Sequence, residues 1–364
     1  MGKTKEILLK IRDAVMDGRL AAEDVPIEDL KQCVYDELQV NSITVPEQQV
    51  PEVLNRFELL CNSVSEKETD ISKIQMFLDA MILCVDMISP VIYALINGDY
   101  WRYKHRENAD NPEIAGIIEY IDKERRVLPI SYDFVKEYEK YPVEVYRDGE
   151  CGMMYVPYKG RKMYFPASWD GPRIANYYSG IMMEQDERSP HYYYDEDFGV
   201  REGDVVVDAG AAEGNFSLDY IDKASKIYLI EADAEWVAAL KQTFRNDAEK
   251  VRIIEGYLGS FQEGIYVSID GLFEEEEINY IKMDIEGAER AALAGAVKVL
   301  EKGKNIRCAI CAYHCKGDEQ NIRSALESHG FVTKTSKGYM SPAWTMEAYL
   351  EAEIRRGLVF GKKE

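Results

Sequence analysis

The chain is short of the features that would place it in an oxidising compartment, on a nucleic acid or in a bilayer. Its seven cysteines are an odd number scattered over 364 residues, which fits reduced thiols better than a disulfide framework. Positive charge is scarce: 44 Lys and Arg stand against 66 Asp and Glu, a formal net charge of −22. Nucleic-acid binding needs a basic face, so no polyanionic partner is expected. The acidity serves solubility and weakly attracts a cationic ligand, and the run Glu274–Glu277 reads as a solvated face. No long apolar stretch is free of charge, since Ile74 to Ile96 carries Asp79, Asp86 and Pro90. Each Asp at a bilayer centre costs about 2.5–3.5 kcal/mol on insertion scales, so that stretch reads as a buried helix and no membrane span is expected. The first residues lead into a charged amphipathic helix without an apolar core or small-residue cleavage site, and Glu6 replaces the Ser or Thr of a myristoylation signal. A cytoplasmic location follows as the expectation.

Glycine is also sparse over residues 1–140, where helical periodicity dominates. Ile7, Leu8, Ile11 and Val15 recur at helical spacing, as do Ile71, Ile74, Leu78, Met81, Ile82 and Val85. Phe77 and Leu83 blur the second stripe, as in a helix buried on more than one side. A polar connector from Tyr100 to Asp110 precedes a helix from Pro112 to Arg126. This region reads as a helical N-terminal domain or an element for homo-oligomerisation, without chemistry of its own. Residues 141–199 change character: short runs such as Val143–Tyr146, Met153–Val156 and Met163–Phe165 are separated by Asp148-Gly149 and Lys159-Gly160, as in hairpins. Ten of the 25 tyrosines lie between Tyr141 and Tyr194. They suit either the packing of a small β-unit or a cap of aromatic faces over a sugar.

The most informative segment opens the third region, residues 200–364. Val205-Val-Val-Asp208-Ala-Gly210-Ala-Ala-Glu213-Gly214-Asn215-Phe216 reads as a buried strand, a tight turn and a helix start. Its glycines permit positive φ and a close approach of backbone to ligand. A dinucleotide fingerprint would need glycine at Ala212. The spacing instead suits a ligand without pyrophosphate but with a cationic amino-acid end, such as S-adenosylmethionine. A second strand, Lys226–Glu231, ends in an acid about 20 residues on, where a carboxylate accepts ribose hydroxyls. Further strands are read at Val251–Glu255, Ile278–Asp284 and Ile306–His314, with helical patterns between them and last strands at Phe331–Lys334 and Glu353–Phe360. The alternation predicts an α/β doubly wound, Rossmann-like sheet with ligands at the strand carboxyl ends, where Asp208, Glu231, Asp284 and His314 fall.

Residues 184–315 resemble the FkbM family of S-adenosylmethionine-dependent methyltransferases. The resemblance rests on Glu184-Gln-Asp-x-x-Ser189-Pro-His191-x-Tyr193, the Asp208–Phe216 run, Ile281-Lys-Met-Asp284-Ile-Glu286-Gly-Ala-Glu289 and Cys311-Ala-Tyr-His314. It implies a class I methyltransferase sheet and O-methylation of hydroxyls on sugars or natural products. By resemblance Asp208 organises the turn and the cofactor's amino-acid end. Gly210 and Gly214 are backbone requirements, and Asn215 opens a helix whose free N–H groups can meet a carboxylate. Glu231 takes the ribose, and Glu213 and Ala232 complete the cofactor edge. Tyr257 reads equally as an adenine stacker or a core residue.

Methyl transfer is an in-line displacement, so the protein must align donor and acceptor, remove the hydroxyl proton and exclude water. Asp284 is a candidate to hold the cofactor's ammonium, orient the acceptor or act as base. Glu286 shares its strand face and reads equally as a helix N-terminal acid. An imidazole titrates near neutrality, so His314 is the first candidate base, with His191 its rival or a substrate contact. Cys308-x-x-Cys311-x-x-His314-Cys315 mimics zinc spacing, but on a strand Cys308 and Cys311 point to opposite faces. Magnesium on Asp284, Glu286 and His314 suits the carboxylates and not the imidazole, so no metal is expected. The leading expectation is an S-adenosylmethionine-dependent O-methyltransferase with a small-molecule or glycan acceptor. The alternative is a catalytically silent cofactor-binding scaffold that recruits a glycosyltransferase. An N-methyltransferase is a weaker variant, and the missing middle glycine disfavours a nucleotide-sugar dehydrogenase.

Overall fold

The computed structural model describes residues 3–17, 19–21, 24–26, 30, 70–71, 73–79, 81–82, 98–108, 110–342, 348 and 351–364. The chain divides into two compact units, Met1–Tyr132 with Ser341–Ile354, and Asp133–Met340 with Arg355–Glu364. Among the described residues no helix is long and apolar enough to cross a membrane.

Among its described residues the first unit holds the helices α1 (Lys3–Met16), α2 (Gly98–Lys104) and α3 (Pro112–Glu124). Leu8 and Val15 of α1 are buried in one apolar cluster with Ile74, Phe77, Leu78 and Met81. The expected stripes therefore meet each other, although Leu83 and Val85 lie outside the described residues. Asn111 accepts a hydrogen bond from the Glu113 N–H, Pro112 occupies the first turn, and Arg125 ends α3 in a left-handed conformation. Ile114, Ile117, Ile118 and Ile121 make its buried face, the spacing of an amphipathic helix.

The second unit begins with a small antiparallel sheet of β1 (Tyr146–Arg147), β2 (Met154–Tyr158) and β3 (Arg161–Tyr164). Tyr146, Tyr155 and Tyr164 pair across it, with ring centroids 5.7 and 5.5 Å apart. That ladder accounts for part of the tyrosine density as sheet packing. Helix α4 (Gly171–Glu184) follows, capped by Asp170 accepting from the Arg173 N–H. The main sheet then alternates β4 (Val205–Ala209), α5 (Asn215–Tyr220), β5 (Lys226–Glu231), α6 (Ala234–Thr243) and β6 (Val251–Glu255). A short pair, β7 (Tyr257–Leu258) with β8 (Tyr266–Val267), and α7 (Ile269–Leu272) lead to β9 (Tyr280–Met283). The chain closes with α8 (Glu289–Ala294), α9 (Val297–Lys302), β10 (Ile306–Cys311), α10 (Asp318–Ser328), β11 (Val332–Thr335) and β12 (Leu358–Lys363).

The seven strands run in the order β6-β5-β4-β9-β10-β12-β11. All pairs from β6 to β10 are parallel, and β12 lies antiparallel between β10 and β11. This is the expected doubly wound sheet with an antiparallel ending. Its order reverses between β4 and β9, so the crevice for a ligand opens at the carboxyl ends of those two strands. Alternation along each strand sends Val206, Leu229, Tyr280 and Cys311 to one face and Val207, Ile230, Met283 and Cys308 to the other. Cys308 and Cys311 are thus divided by the sheet, as expected. At the amino edge Arg307 and Asp204 form a buried ion pair at 2.7 Å.

Candidate active site

Gly210 closes β4 with φ +71°, and a Cβ there would lie 1.7 Å from the Asp284 carbonyl oxygen. Only glycine lets the turn pass this close to the end of β9. Gly214 has φ +80° and precedes α5, and a Cβ on it would press into Phe244 and Leu240. The Glu231 carboxylate ties the turn to β5, accepting from the N–H groups of Ala212 (2.9 Å), Ala232 (2.8 Å) and Asp233 (2.9 Å). Asp208 is fully buried beneath the turn: its Oδ2 accepts from the Ser217 hydroxyl at 2.7 Å, and its Oδ1 lies 3.1 Å from Lys282 Nζ. Asn215 turns its side chain onto the Phe216 N–H at 2.6 Å.

A cavity of about 730 Å³ opens above this turn, within the size range of small-molecule sites. It brings together Gly210, Glu213, Asn215, Glu231, Ala232, Asp284 and His191. Asp208, Gly214 and His314 do not line it. Three rings form part of its wall: Trp169, Tyr177 and Trp236, with centroids 5.0, 5.2 and 5.6 Å apart. Tyr257 also lines the cavity and is 52% exposed, so it is a rim residue and not a core one.

Lys282 is the buried cation of this cavity, and the sequence reading did not single it out. Its Nζ donates to the Gly210 carbonyl at 2.6 Å. Burial works against its charge, but Asp208 and Asp284 outweigh that and hold its pKa above the ordinary lysine value. The available signal was its spacing from Asp284, since residues two apart on a strand share a face. Asp284 Oδ2 accepts from the Tyr193 hydroxyl at 2.7 Å and lies 3.5 Å from His191 Nε2. Burial would raise this carboxyl, yet hydrogen bonding to His191 and the fields of His191, Lys282 and His314 bring it below the usual range. His191 is itself buried; its Nδ1 faces Gln185 Nε2 at 3.4 Å and Glu184 Oε2 at 3.9 Å.

His314 sits behind Asp284. Its Nδ1 is 2.9 Å from Glu289 Oε1, and its Nε2 lies 3.4 Å from Asp284 Oδ1 and 3.6 Å from Glu286 Oε2. Burial lowers its pKa, but the Glu289 hydrogen bond and the Asp284 charge raise it to a net value above the ordinary histidine one. Glu289, fully buried, also accepts from the Ile285 N–H at 3.0 Å. Glu289 is the acid in the first turn of α8, while Glu286 is exposed in a left-handed conformation, φ 55°. Glu213 receives the Tyr177 hydroxyl at 2.9 Å, and burial pushes its carboxyl up to about 7.

Residues 265–333 match the family described as the methyltransferase FkbM domain. The matched segment holds the Lys282–Glu289 run and His314, and it begins after the glycine turn. No curated protein matches the chain. Among solved structures, a methyltransferase FkbM from Methylobacillus flagellatus KT is similar at 18% identity, over 53% of this chain and 55% of that one, with a TM-score of 0.39. The chain thus spans about half the length of that protein. A precorrin-6y C5,15-methyltransferase from Geobacter metallireducens GS-15 is similar at 11% identity, over 46% of this chain and 84% of that one, with a TM-score of 0.33.

Proposed function

We propose that this chain, with its methyltransferase FkbM domain over residues 265–333, is an S-adenosylmethionine-dependent O-methyltransferase acting on a hydroxyl of a sugar, glycan or natural product. The observation that carries the reading is the cavity at the point where strand order reverses. There the Gly210–Asn215 turn and Glu231 face the Asp284–His191 pair. The residues present fit the cofactor: Gly210 lets the turn lie against the end of β9 and line the cavity with backbone, and Glu213, Glu231 and Asp284 suit a cation.

S-adenosylmethionine supplies, when bound, an electrophilic methyl group on a sulfonium. Backbone of the turn and the Glu231 carboxylate would hold its amino-acid and ribose ends. Asp284 orients His191 through Nε2, and Nδ1 takes the acceptor hydroxyl proton once the acceptor displaces its long 3.4 Å contact with Gln185 Nε2. His191 has this role in place of His314 because it lines the cavity and His314 does not. His314 steadies Asp284 from behind. The aromatic segment before the sheet, residues 141–199, caps the acceptor. The region 1–140, helical where it is described, serves self-association, and the acidic surface turns away nucleic acid.

The test is calorimetric titration with S-adenosylmethionine and with S-adenosylhomocysteine. Binding of either with a Kd of roughly micromolar order is expected, lost in Glu231→Ala, followed by an acceptor screen that starts with sugars. Folded protein that binds neither ligand sinks the proposal.

A further inference from the structure

We propose that His314 Nε2 and Asp284 Oδ1, joined by Glu286 Oε2, form a site for one divalent transition-metal ion of the Mn2+ class, against the sequence-based expectation of none. Among the described residues, buried side-chain polar atoms without a hydrogen-bond partner include Asp284 Oδ1, His314 Nε2 and Glu289 Oε2. These three belong to one cluster, for Asp284, Glu289 and His314 offer ligand atoms within 4.8 Å of one another. Buried polar atoms are normally paired, and a group of orphans at one place points to a ligand.

The histidine is arranged as a ligand. Its side chain is only 7% exposed, and Nδ1 is engaged by Glu289 at 2.9 Å. A proton on Nδ1 donated to that carboxylate leaves the Nε2 lone pair directed at Asp284. Ligating histidines usually donate their second nitrogen to a carboxylate in this way. Nε2 is 3.4 Å from Asp284 Oδ1 and 3.6 Å from Glu286 Oε2. Two ligands each about 2.1 Å from one ion stand about 3.0–3.5 Å apart at angles near 90–110°, so the first pair fits as it stands. Glu286 must swing inward, since its carboxylate stands outside the group of ligand atoms within 4.8 Å of one another, and its side chain is 92% exposed. One imidazole with two carboxylates suits Mn2+, Fe2+ or Zn2+ better than Mg2+, which prefers an all-oxygen shell. His191, Asp284 and Cys311 also offer ligand atoms within 4.8 Å. There, however, the Tyr193 hydroxyl already contacts all three residues. Asp284 Oδ1 and His314 Nε2 are both buried, so an ion between them would lie behind Asp284 and fix the carboxylate that lines the cavity.

The experiment uses the full chain, stripped with chelator and titrated with Mn2+ and with Mg2+. It is followed by calorimetry and Mn2+ paramagnetic resonance, with and without S-adenosylhomocysteine. One tight Mn2+ per chain is expected, bound more tightly than Mg2+. Glu289→Gln should weaken it by about 10- to 100-fold, as loss of an outer-shell partner does. His314→Ala should abolish it, and Glu286→Gln, which changes only an exposed side chain, should weaken it in a protein that still folds. Glu274→Gln, in the distant acidic run, should leave it unchanged. Equal Mn2+ binding by wild type and by folded Glu286→Gln and Glu289→Gln proteins would overturn the site and leave His314 as an imidazolium among three carboxylates. The homocysteine arm reads the cofactor separately, so either proposal can fail while the other stands.

Discussion

At the amino edge of the seven-stranded sheet, Arg307 and Asp204 meet at 2.7 Å with side chains 3% and 8% exposed. At its carboxyl edge Asp208, Asp284 and Glu289 crowd around Lys282, His191 and His314. The first arrangement is balanced, one charge against one. Arg307 also donates to the Gly199 carbonyl at 3.1 Å, and Asp204 accepts from the Arg201 N–H at 2.6 Å. The second is a crowd of shared contacts in which Asp208 Oδ1, Asp284 Oδ1, Glu289 Oε2 and His314 Nε2 are buried without a hydrogen-bond partner, against Arg307 Nε alone in the first pair. A buried charge persists only when paired. The amino edge is therefore a pair that holds itself, whereas the carboxyl edge gathers the larger group of buried polar atoms without partners, beside the cavity.

Substitutions at the two edges should part accordingly. The largest effect is expected for Asp284→Asn. Methyl transfer should fall about 10²- to 10⁴-fold, the range of a general-base device, in a protein that still folds. Turnover within threefold of wild type would remove Asp284 from the mechanism. Arg307→Met should do the reverse. It strands Asp204 and should cost about 3–5 kcal/mol in urea unfolding, with S-adenosylhomocysteine affinity of the folded protein unchanged. A loss below about 1 kcal/mol would show that the pair is not the buried device described.

Glu213 sharpens the contrast through pH. Its carboxyl is raised to about 7, so between about pH 4.5 and 7 the native state binds more protons than the unfolded one. Its contribution is fully present below pH 4.5 and is lost as pH rises through 7, at most about 3 kcal/mol. Stability of wild type should fall across that window, and Glu213→Gln should flatten the slope in denaturation measured at several pH values. The smallest effect is expected away from both edges: Tyr155→Leu should cost under about 1.5 kcal/mol, the worth of an aromatic pair, and leave cofactor binding intact.

Much of this architecture was legible from local pattern. The apolar strand Val205–Ala209, the acid ending Lys226–Glu231 and the glycines of the turn announce strand, turn and helix without reference to any neighbour. Lys282 and Glu289 stood in the same motif as Asp284, but nothing local assigned them partners. Lys282 meets Asp208 because β4 and β9 pair with those two residues opposite each other. The position of His314 behind Asp284, outside the cavity, likewise depends on where β10 ends beside β9. The tyrosines divide by register too: Tyr146, Tyr155 and Tyr164 stack across the small sheet, while Tyr177 and Tyr193 reach the cavity.

By itself the sequence determined the succession of elements and the edge of the sheet at which chemistry would gather. Periodicity and turn geometry act within a few residues along one chain. Only the tertiary structure decided which carboxylate faces which cation, which histidine meets the cavity, and where polar atoms are left without partners. Those outcomes follow from the pairing register of strands that lie some 75 residues apart, as Asp208 and Lys282 do, a long-range choice that no local pattern encodes.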